Sequence, residues 1–220
     1  MKKNIIALAV AAAVAAPVVA SADATIYGRM HMDFGQVSNG DKSTLATTNN
    51  ASRIGFKGSE DLGNGLKAIY QAEFSVQTDG NDGADGQDGG DGWGGQRNTF
   101  IGLAGGFGTF LVGRHDTPMK VAFYGAGTEV LSDSALDLNT SNSLAPRKQQ
   151  SAPIGVFSEF RADNAIAYVS PNFAGFTLAA ATVPGEEAGT PNDGLTDAYS
   201  LAAMYSGMGL KASASYEVGS

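Results

Sequence analysis

Ser52-Arg-Ile-Gly-Phe-Lys-Gly-Ser-Glu-Asp-Leu-Gly-Asn-Gly-Leu-Lys-Ala-Ile-Tyr-Gln-Ala-Glu-Phe-Ser-Val76 is the stretch whose reading decides the fold. In its second half Leu66, Ala68, Tyr70, Ala72, Phe74 and Val76 share one parity. Lys67, Ile69, Gln71, Glu73 and Ser75 share the other, and all but Ile69 are polar or charged. In its first half Ile54 and Phe56 point one way while Arg53 and Lys57 point the other. Period two is the signature of a strand with one oily and one wet face. A helix would place Glu73 among Leu66, Ile69, Tyr70 and Phe74 and leave Ala68, Ala72 and Val76 off that face, so strands fit better. Between the halves, Glu60-Asp-Leu-Gly-Asn-Gly65 supplies the Gly and Asn that positive φ angles require. Two architectures carry such strands: a half-buried sheet in a soluble protein, and a membrane β-barrel with lipid outside and water inside.

The first residues bear on the compartment. Met1-Lys-Lys3 is a basic start, Ile5–Val19 is apolar and alanine-rich, and Ala20-Ser-Ala22 is a small-residue cleavage signal. Residues 1–22 read as a secretory signal peptide, with Asp23 opening the mature chain. Removing Lys2 and Lys3 moves the net charge from −8 to −10. After residue 22 no apolar run approaches the roughly twenty residues that a membrane helix needs. A membrane span would therefore have to be a closed barrel, the other structure that satisfies its backbone groups in lipid. The chain has no cysteine, hence neither disulfides nor a thiolate metal site. Its 30 glycines and 16% charged residues suit a β-protein with many turns. The acidic balance argues against nucleic acid as a partner.

Outward from the central hairpin, Thr25–Phe34 reads as one strand, with Ile26, Met30, Met32 and Phe34 opposite Tyr27, Arg29, His31 and Asp33. Gly35–Ala51 reads as a loop. In Thr78–Gln96 an aspartate recurs every third residue from Asp79 to Asp91 among glycines, the pattern of a solvated acidic loop. A calcium site there has spaced oxygens in its favour and lacks the twelfth-position Glu of an EF-hand loop. Arg97–Leu103 and Thr109–Gly113 form a hairpin about Gly105–Gly108. Arg114–Phe160 shows no convincing strand. Arg161–Val169, Phe176–Thr182, Ala198–Tyr205 and Leu210–Glu217 complete about nine strands. Long polar loops alternate with tight glycine-rich turns, the asymmetry of an outer-membrane barrel. An odd strand count that stops mid-pattern implies the N-terminal part of a longer barrel.

The segments Thr25-Ile-Tyr-Gly-Arg29, Ser52–Ala68, Arg97-Asn-Thr-Phe-Ile-Gly-Leu103, Gly108–Arg114 and Asn164–Phe176 resemble the Gram-negative general porins, most closely the proteobacterial group. The resemblance implies an all-β fold, a transmembrane antiparallel β-barrel of sixteen strands. Residues 23–220 would supply the N-terminal portion. It further implies a homotrimer in outer-membrane lipid and lipopolysaccharide, passing ions and small hydrophilic solutes by passive diffusion without a cofactor. An inward-folded third loop, by position about residues 116–157, would narrow the pore. By motif, the basic side of the constriction falls on Arg29, Arg53, Arg97 and Arg161. Alternation independently sets Arg29, Arg53 and Arg161 opposite oily neighbours, and Arg97 lies opposite Phe100. Glu129 and Asp133 are the acidic loop candidates, with Asp116 and Asp137 behind them; the family's Pro-Glu-Phe-Gly-Gly loop motif is absent. Arg114 shares the parity of Phe110 and Val112 and ranks lower. Four arginines facing two acids predict a weak anion preference.

Two other function classes stand beside the porin. For an enzyme, the chain offers His31 and His115 but no G-x-S-x-G, no H-E-x-x-H and no metal-ligand cluster. A secreted calcium-binding β-protein or adhesin would rest on the Asp79–Asp91 run.

Overall fold

The computed structural model describes residues 23–38, 43–78, 93–127, 161–185 and 198–218. The strands are β1 (Asp23–Arg29), β2 (Met32–Ser38), β3 (Ser43–Asn49), β4 (Arg53–Gly63), β5 (Leu66–Val76), β6 (Trp93–Gly105), β7 (Gly108–Asp116), β8 (Arg161–Val169), β9 (Phe176–Val183), β10 (Ala198–Gly207) and β11 (Leu210–Val218). One short helix, α1 (Pro118–Gly125), follows β7. Nine strands form a single sheet in the order β1-β4-β5-β6-β7-β8-β9-β10-β11, every neighbouring pair antiparallel; β2 and β3 form a separate two-stranded sheet.

The central hairpin is the one the alternation predicts. Arg53 pairs with Ser75, Ile54 with Phe74 and Phe56 with Ala72. Its turn uses positive φ at Asn64 and Gly65, 54° and 77°. The β10–β11 turn repeats this with Met208 and Gly209 at 51° and 75°. In an up-and-down meander, alternate connections share an end. Asn64-Gly65, Gly106-Phe107, Ala174-Gly175 and Met208-Gly209 therefore lie at one end, and the long connections at the other. Aromatic rings gather at the tight-turn end. Phe107 and Phe110 lie 6.0 Å apart, Phe110 and Tyr168 4.8 Å, and Phe176 and Tyr205 4.7 Å between centroids. In a barrel of the kind the resemblance implies, aromatic girdles lie at such ends.

Two sequence expectations change here. Thr25–Phe34 is not one strand: the chain leaves the main sheet at Met30-His31. The segment read as a loop, Gly35–Ala51, contains the end of β2 and all of β3. The joint is fastened at His31, whose N–H donates to Ser52 Oγ (2.9 Å) and whose carbonyl accepts from Asn50 N–H (2.9 Å) and from Ser52 Oγ (3.1 Å). A threonine-rich run with few large side chains gave the alternation too little contrast to reveal β3.

The sheet is oily on the outside. Ile101 is 68% exposed, Leu178 55% and Phe176 54%, and Val112, Ile166 and Leu201 are exposed on the same face. On the other face Ala165, Ala167, Ala179, Ala181, Ser200 and Ala202 are buried. A soluble sheet would reverse this, since large apolar side chains left in water forfeit about 1.5–3 kcal/mol each. No helix among the described residues is long and apolar enough to cross a membrane.

Helix α1 covers the face lined by small residues. Thr117 caps it, its Oγ1 accepting from Lys120 N–H at 3.3 Å, and Pro118 sits at the first turn, where the missing N–H costs nothing. Met119 N–H donates to Ser200 Oγ on β10 at 3.0 Å. Ala122 packs with Ala179 of β9 and Ala202 of β10, flanked by Val169 and Met204. The helix ends where Ala126 N–H reaches Ala122 O and Gly127 turns to positive φ, 72°.

Candidate functional site: a charged inner wall beside a helix

The inner face of β1, β4, β5 and β6 carries the charge. Tyr27, Gly55 and Glu73 stand side by side across β1, β4 and β5, and Arg29, Arg53 and Ser75 do the same one step along. Glu73 is buried; its Oε1 accepts from Arg97 Nε at 2.7 Å and its Oε2 from Tyr27 O–H at 2.9 Å. Gln71 Nε2 in turn donates to the Tyr27 hydroxyl at 2.9 Å. Tyr27 can reach Glu73 because Gly55 lies between them. A Cβ on Gly55 would stand 2.6 Å from the tyrosine ring.

Arg97 reaches this face through a bulge. By strict alternation Arg97 would share the side of Ile101 and Leu103, which are exposed to the outside. The ladder pairs Ala72 with Thr99 and Phe74 with Gln96, so β6 holds one extra residue between them. A bulge of this kind redirects a side chain without breaking the sheet. Residue order alone does not show where the period slips, so placing Arg97 opposite Phe100 omitted this step.

A second cluster surrounds Asp116, the last residue of β7. Asp116 stands in register with Arg161 of β8, and its Oδ1 lies 3.0 Å from Arg161 Nε and 3.2 Å from Lys120 Nζ of α1. Asn98 Nδ2 donates to its Oδ2 at 2.7 Å, while Asn98 Oδ1 accepts from Asp116 N–H at 3.1 Å and from Arg161 Nε at 3.2 Å. Arg161 is also within electrostatic reach of Arg97, Glu73 and Arg114, so the two clusters form one charged field.

The arginines singled out in the sequence separate into three groups. Arg97 and Arg161 belong to the ion pairs just described. Arg29 and Arg53 face one another across β1–β4. Arg29 Nη2 donates to His31 Nδ1 at 2.6 Å, and among the described residues Arg53 has no carboxylate partner. Arg114 pairs instead with Asp163 and donates through Nε to Gln96 O at 2.9 Å. Asp116 ends a wall strand, so the long connection begins at Thr117. Glu129, Asp133 and Asp137 lie outside the described residues, as do residues 1–22, expected to be a signal peptide, and the Asp79–Asp91 run. Glu73, Tyr27, Asn98 and Lys120 were not singled out. Glu73 stood on the wet parity of the best-read strand, and its being the one carboxylate on a face shared with Lys67, Gln71 and Ser75 was the available signal. His115 is buried against Phe100, ring to ring at 6.4 Å, and its Nδ1 lies 3.1 Å from Asp116 O. No group of three His, Asp or Glu side chains among the described residues could hold a metal ion.

A sheet with its large apolar side chains outward and its arginines inward has a clear counterpart among known proteins. A family model for the Gram-negative porin matches residues 7–220. The chain belongs to the Gram-negative porin family. The major outer membrane protein P.IB of Neisseria gonorrhoeae is 32% identical over 201 residues, 86% of this chain and 50% of the relative. P.IB of Neisseria sicca is 34% identical over 208 residues, 88% of this chain and 50% of the relative. P.IB of Neisseria meningitidis is 43% identical over 129 residues, 54% of this chain and 35% of the relative. An anion-selective porin from Comamonas acidovorans shares the fold with a TM-score of 0.64 at 22% identity, over 90% of this chain and 57% of that one. This porin is an outer-membrane protein with an antiparallel transmembrane β-barrel fold. The chain spans about half the length of the P.IB relatives from N. gonorrhoeae and N. sicca.

Proposed function

We propose that the intact protein is a passive channel, a water-filled pore through the outer membrane for ions and small hydrophilic solutes. The observation that carries the reading is α1 lying on the arginine-bearing side of the sheet, opposite the exposed Ile101, Leu178 and Leu201. A segment folded onto the wet face of a barrel narrows its bore. In this reading the connection from Thr117 onward is the constriction loop. Arg29, Arg53, Arg97 and Arg161 form the basic wall, with Glu129 and Asp133 as the opposing acids.

Charge placement supports a weak anion preference at the narrowest point. Arg29, Arg53, Arg97, Arg161 and Lys120 bring five positive charges against four negative ones from Glu73, Asp116, Glu129 and Asp133, which leaves a small positive excess. Fixed charges in a narrow, low-dielectric bore select ions by sign and orient polar solutes in the transverse field. The protein works as a homotrimer in lipid and lipopolysaccharide, without a cofactor and without catalysis. Planar-bilayer recording of the intact protein tests the reading. Stepwise conductance with a reversal potential of anion-selective sign in a KCl gradient is expected. A protein that inserts but does not conduct refutes the channel, and clear cation selectivity refutes the charge assignment.

A further inference from the structure

His31 sits where the chain leaves the main sheet, and main-chain atoms make that joint. Its N–H donates to Ser52 Oγ and its carbonyl accepts from Asn50 N–H, both at 2.9 Å. The imidazole takes no part in it. Half-buried His31 and Asp33 alternate with exposed Met32 and Phe34, so the ring lies on the wet side of the wall. There Arg29 Nη2 approaches Nδ1 to 2.6 Å. A guanidinium offers N–H donors and no acceptor, so Nδ1 presents its lone pair and the neutral ring carries its proton on Nε2. A proton on Nδ1 replaces that acceptor with a second cation at hydrogen-bond distance from the first. The other charges around the ring come from known elements. Arg53 of β4 stands in register with Arg29, and β3, which pairs with β2, carries no titratable side chain. Asp33 is the one carboxylate of β2. On β5, Glu73 stands one step down the wall and is held by Arg97 and Tyr27.

We propose that His31 is a selectivity-determining residue of the pore, neutral and accepting from Arg29 in mildly alkaline solution, and an added wall cation in mildly acidic solution. The inference rests on the channel reading above. Imidazole is the side chain that ordinarily changes charge between about pH 5 and 8. On that reading basic side chains outnumber acidic ones by one, five against four, so a proton taken up at Nδ1 from lumen water doubles the excess. The Arg29 guanidinium, no longer received by the ring, adds its repulsion of cations to that of the imidazolium. A unit charge about 7 Å from a passing ion is worth about RT in water, and salt at about 0.1 M halves this. An anion gains what a cation loses, so the anion-to-cation permeability ratio rises about threefold.

The test is the reversal potential of the intact protein in a KCl gradient across planar bilayers, at about pH 8 and about pH 5.5, an interval in which ordinary aspartates and glutamates stay ionised. Wild type is expected to become about threefold more anion-selective at the lower pH. His31→Gln keeps an acceptor for Arg29 and has nothing to titrate, so its permeability ratio should be the same at both pH values. His31→Lys carries the charge throughout and should show at the higher pH the anion preference that wild type reaches only at the lower. Main-chain atoms of residue 31 hold the joint, so both variants retain it. A wild-type ratio that ignores pH overturns the proposal, as does a His31→Gln variant that follows the wild-type pH dependence. Wild-type protein that inserts without conducting refutes the channel reading instead, so the two failures are distinguishable.

Discussion

Replacing Arg97 with Met separates a buried ion pair from its shell. The Arg97 and Glu73 side chains are 10% and 8% exposed, with Nε and Oε1 2.7 Å apart. Taking away one partner leaves the other charge buried and uncompensated, which costs roughly 3–5 kcal/mol in such pairs. Glu73 would keep the Tyr27 hydroxyl on Oε2 at 2.9 Å, and a hydrogen bond to a charged group retains about 1.5–3 kcal/mol. The expected loss for Arg97→Met is therefore near the lower limit, about 3 kcal/mol. Glu73→Gln strands Arg97 instead and should cost a similar amount. The double variant has no charge left to strand, so it should be more stable than the two single losses added together, by about 2 kcal/mol. Equilibrium urea unfolding of the intact protein in lipid vesicles, followed by circular dichroism, gives the three values. If the double loss equals the sum of the singles within about 0.5 kcal/mol, the pair is not coupled and the argument fails.

Other positions give independent checks. Ile101→Arg places a charge on the outward face and should destabilise the barrel by about 2–4 kcal/mol near mid-membrane, read in the same vesicle assay; a neutral result would put that face in water. Gly113→Ala combines φ of +134° with a Cβ 2.5 Å from Thr99 O, so a loss of about 1–3 kcal/mol is expected, and unchanged urea midpoints would contradict the β7 backbone described here. Arg53→Ala removes a wall cation that has no carboxylate partner among the described residues. It should shift the KCl-gradient reversal potential toward cations without lowering stability. Thr117→Ala deletes the cap of α1, worth about 1 kcal/mol. Its effect should appear as noisier open-channel current while the urea midpoint of the barrel stays close to wild type.

The nine strands of the main sheet were legible because each carries two contrasting faces, and because Asn64-Gly65 and Met208-Gly209 mark their turns by chemistry. β3 was not legible, since in Ser43–Asn49 Leu45 is the single large apolar side chain among Ser, Thr, Ala and Asn, which gives too little contrast. Helix α1 is too short to show a period, and its alanine face makes sense only against Ala179 and Ala202, far away in sequence. The charged wall was partly legible. Arg29 and Arg53 follow unbroken alternation from Ile26 and Ile54. Arg97 does not, because a bulge shifts the period between Thr99 and Gln96 and only the partner strand reveals it. The carboxylates that hold Arg97 and Arg161 were readable as residue types and not as partners. Glu73 and Asp116 stand 24 and 45 positions from the arginines they meet, a separation that strand order closes.

The inner wall under the helix has been whittled down to methyl groups. Ala179 and Ala202 take up almost no room, and that vacated depth is what lets Ala122 sit so close. On the channel reading, wall volume and bore width are thus tied together like the two ends of a lever. Each carbon added beneath α1 would push it further across the lumen, and trimming to glycine would let it sink back. On the channel reading, pore calibre is a steric quantity, adjustable at positions that no permeating ion meets.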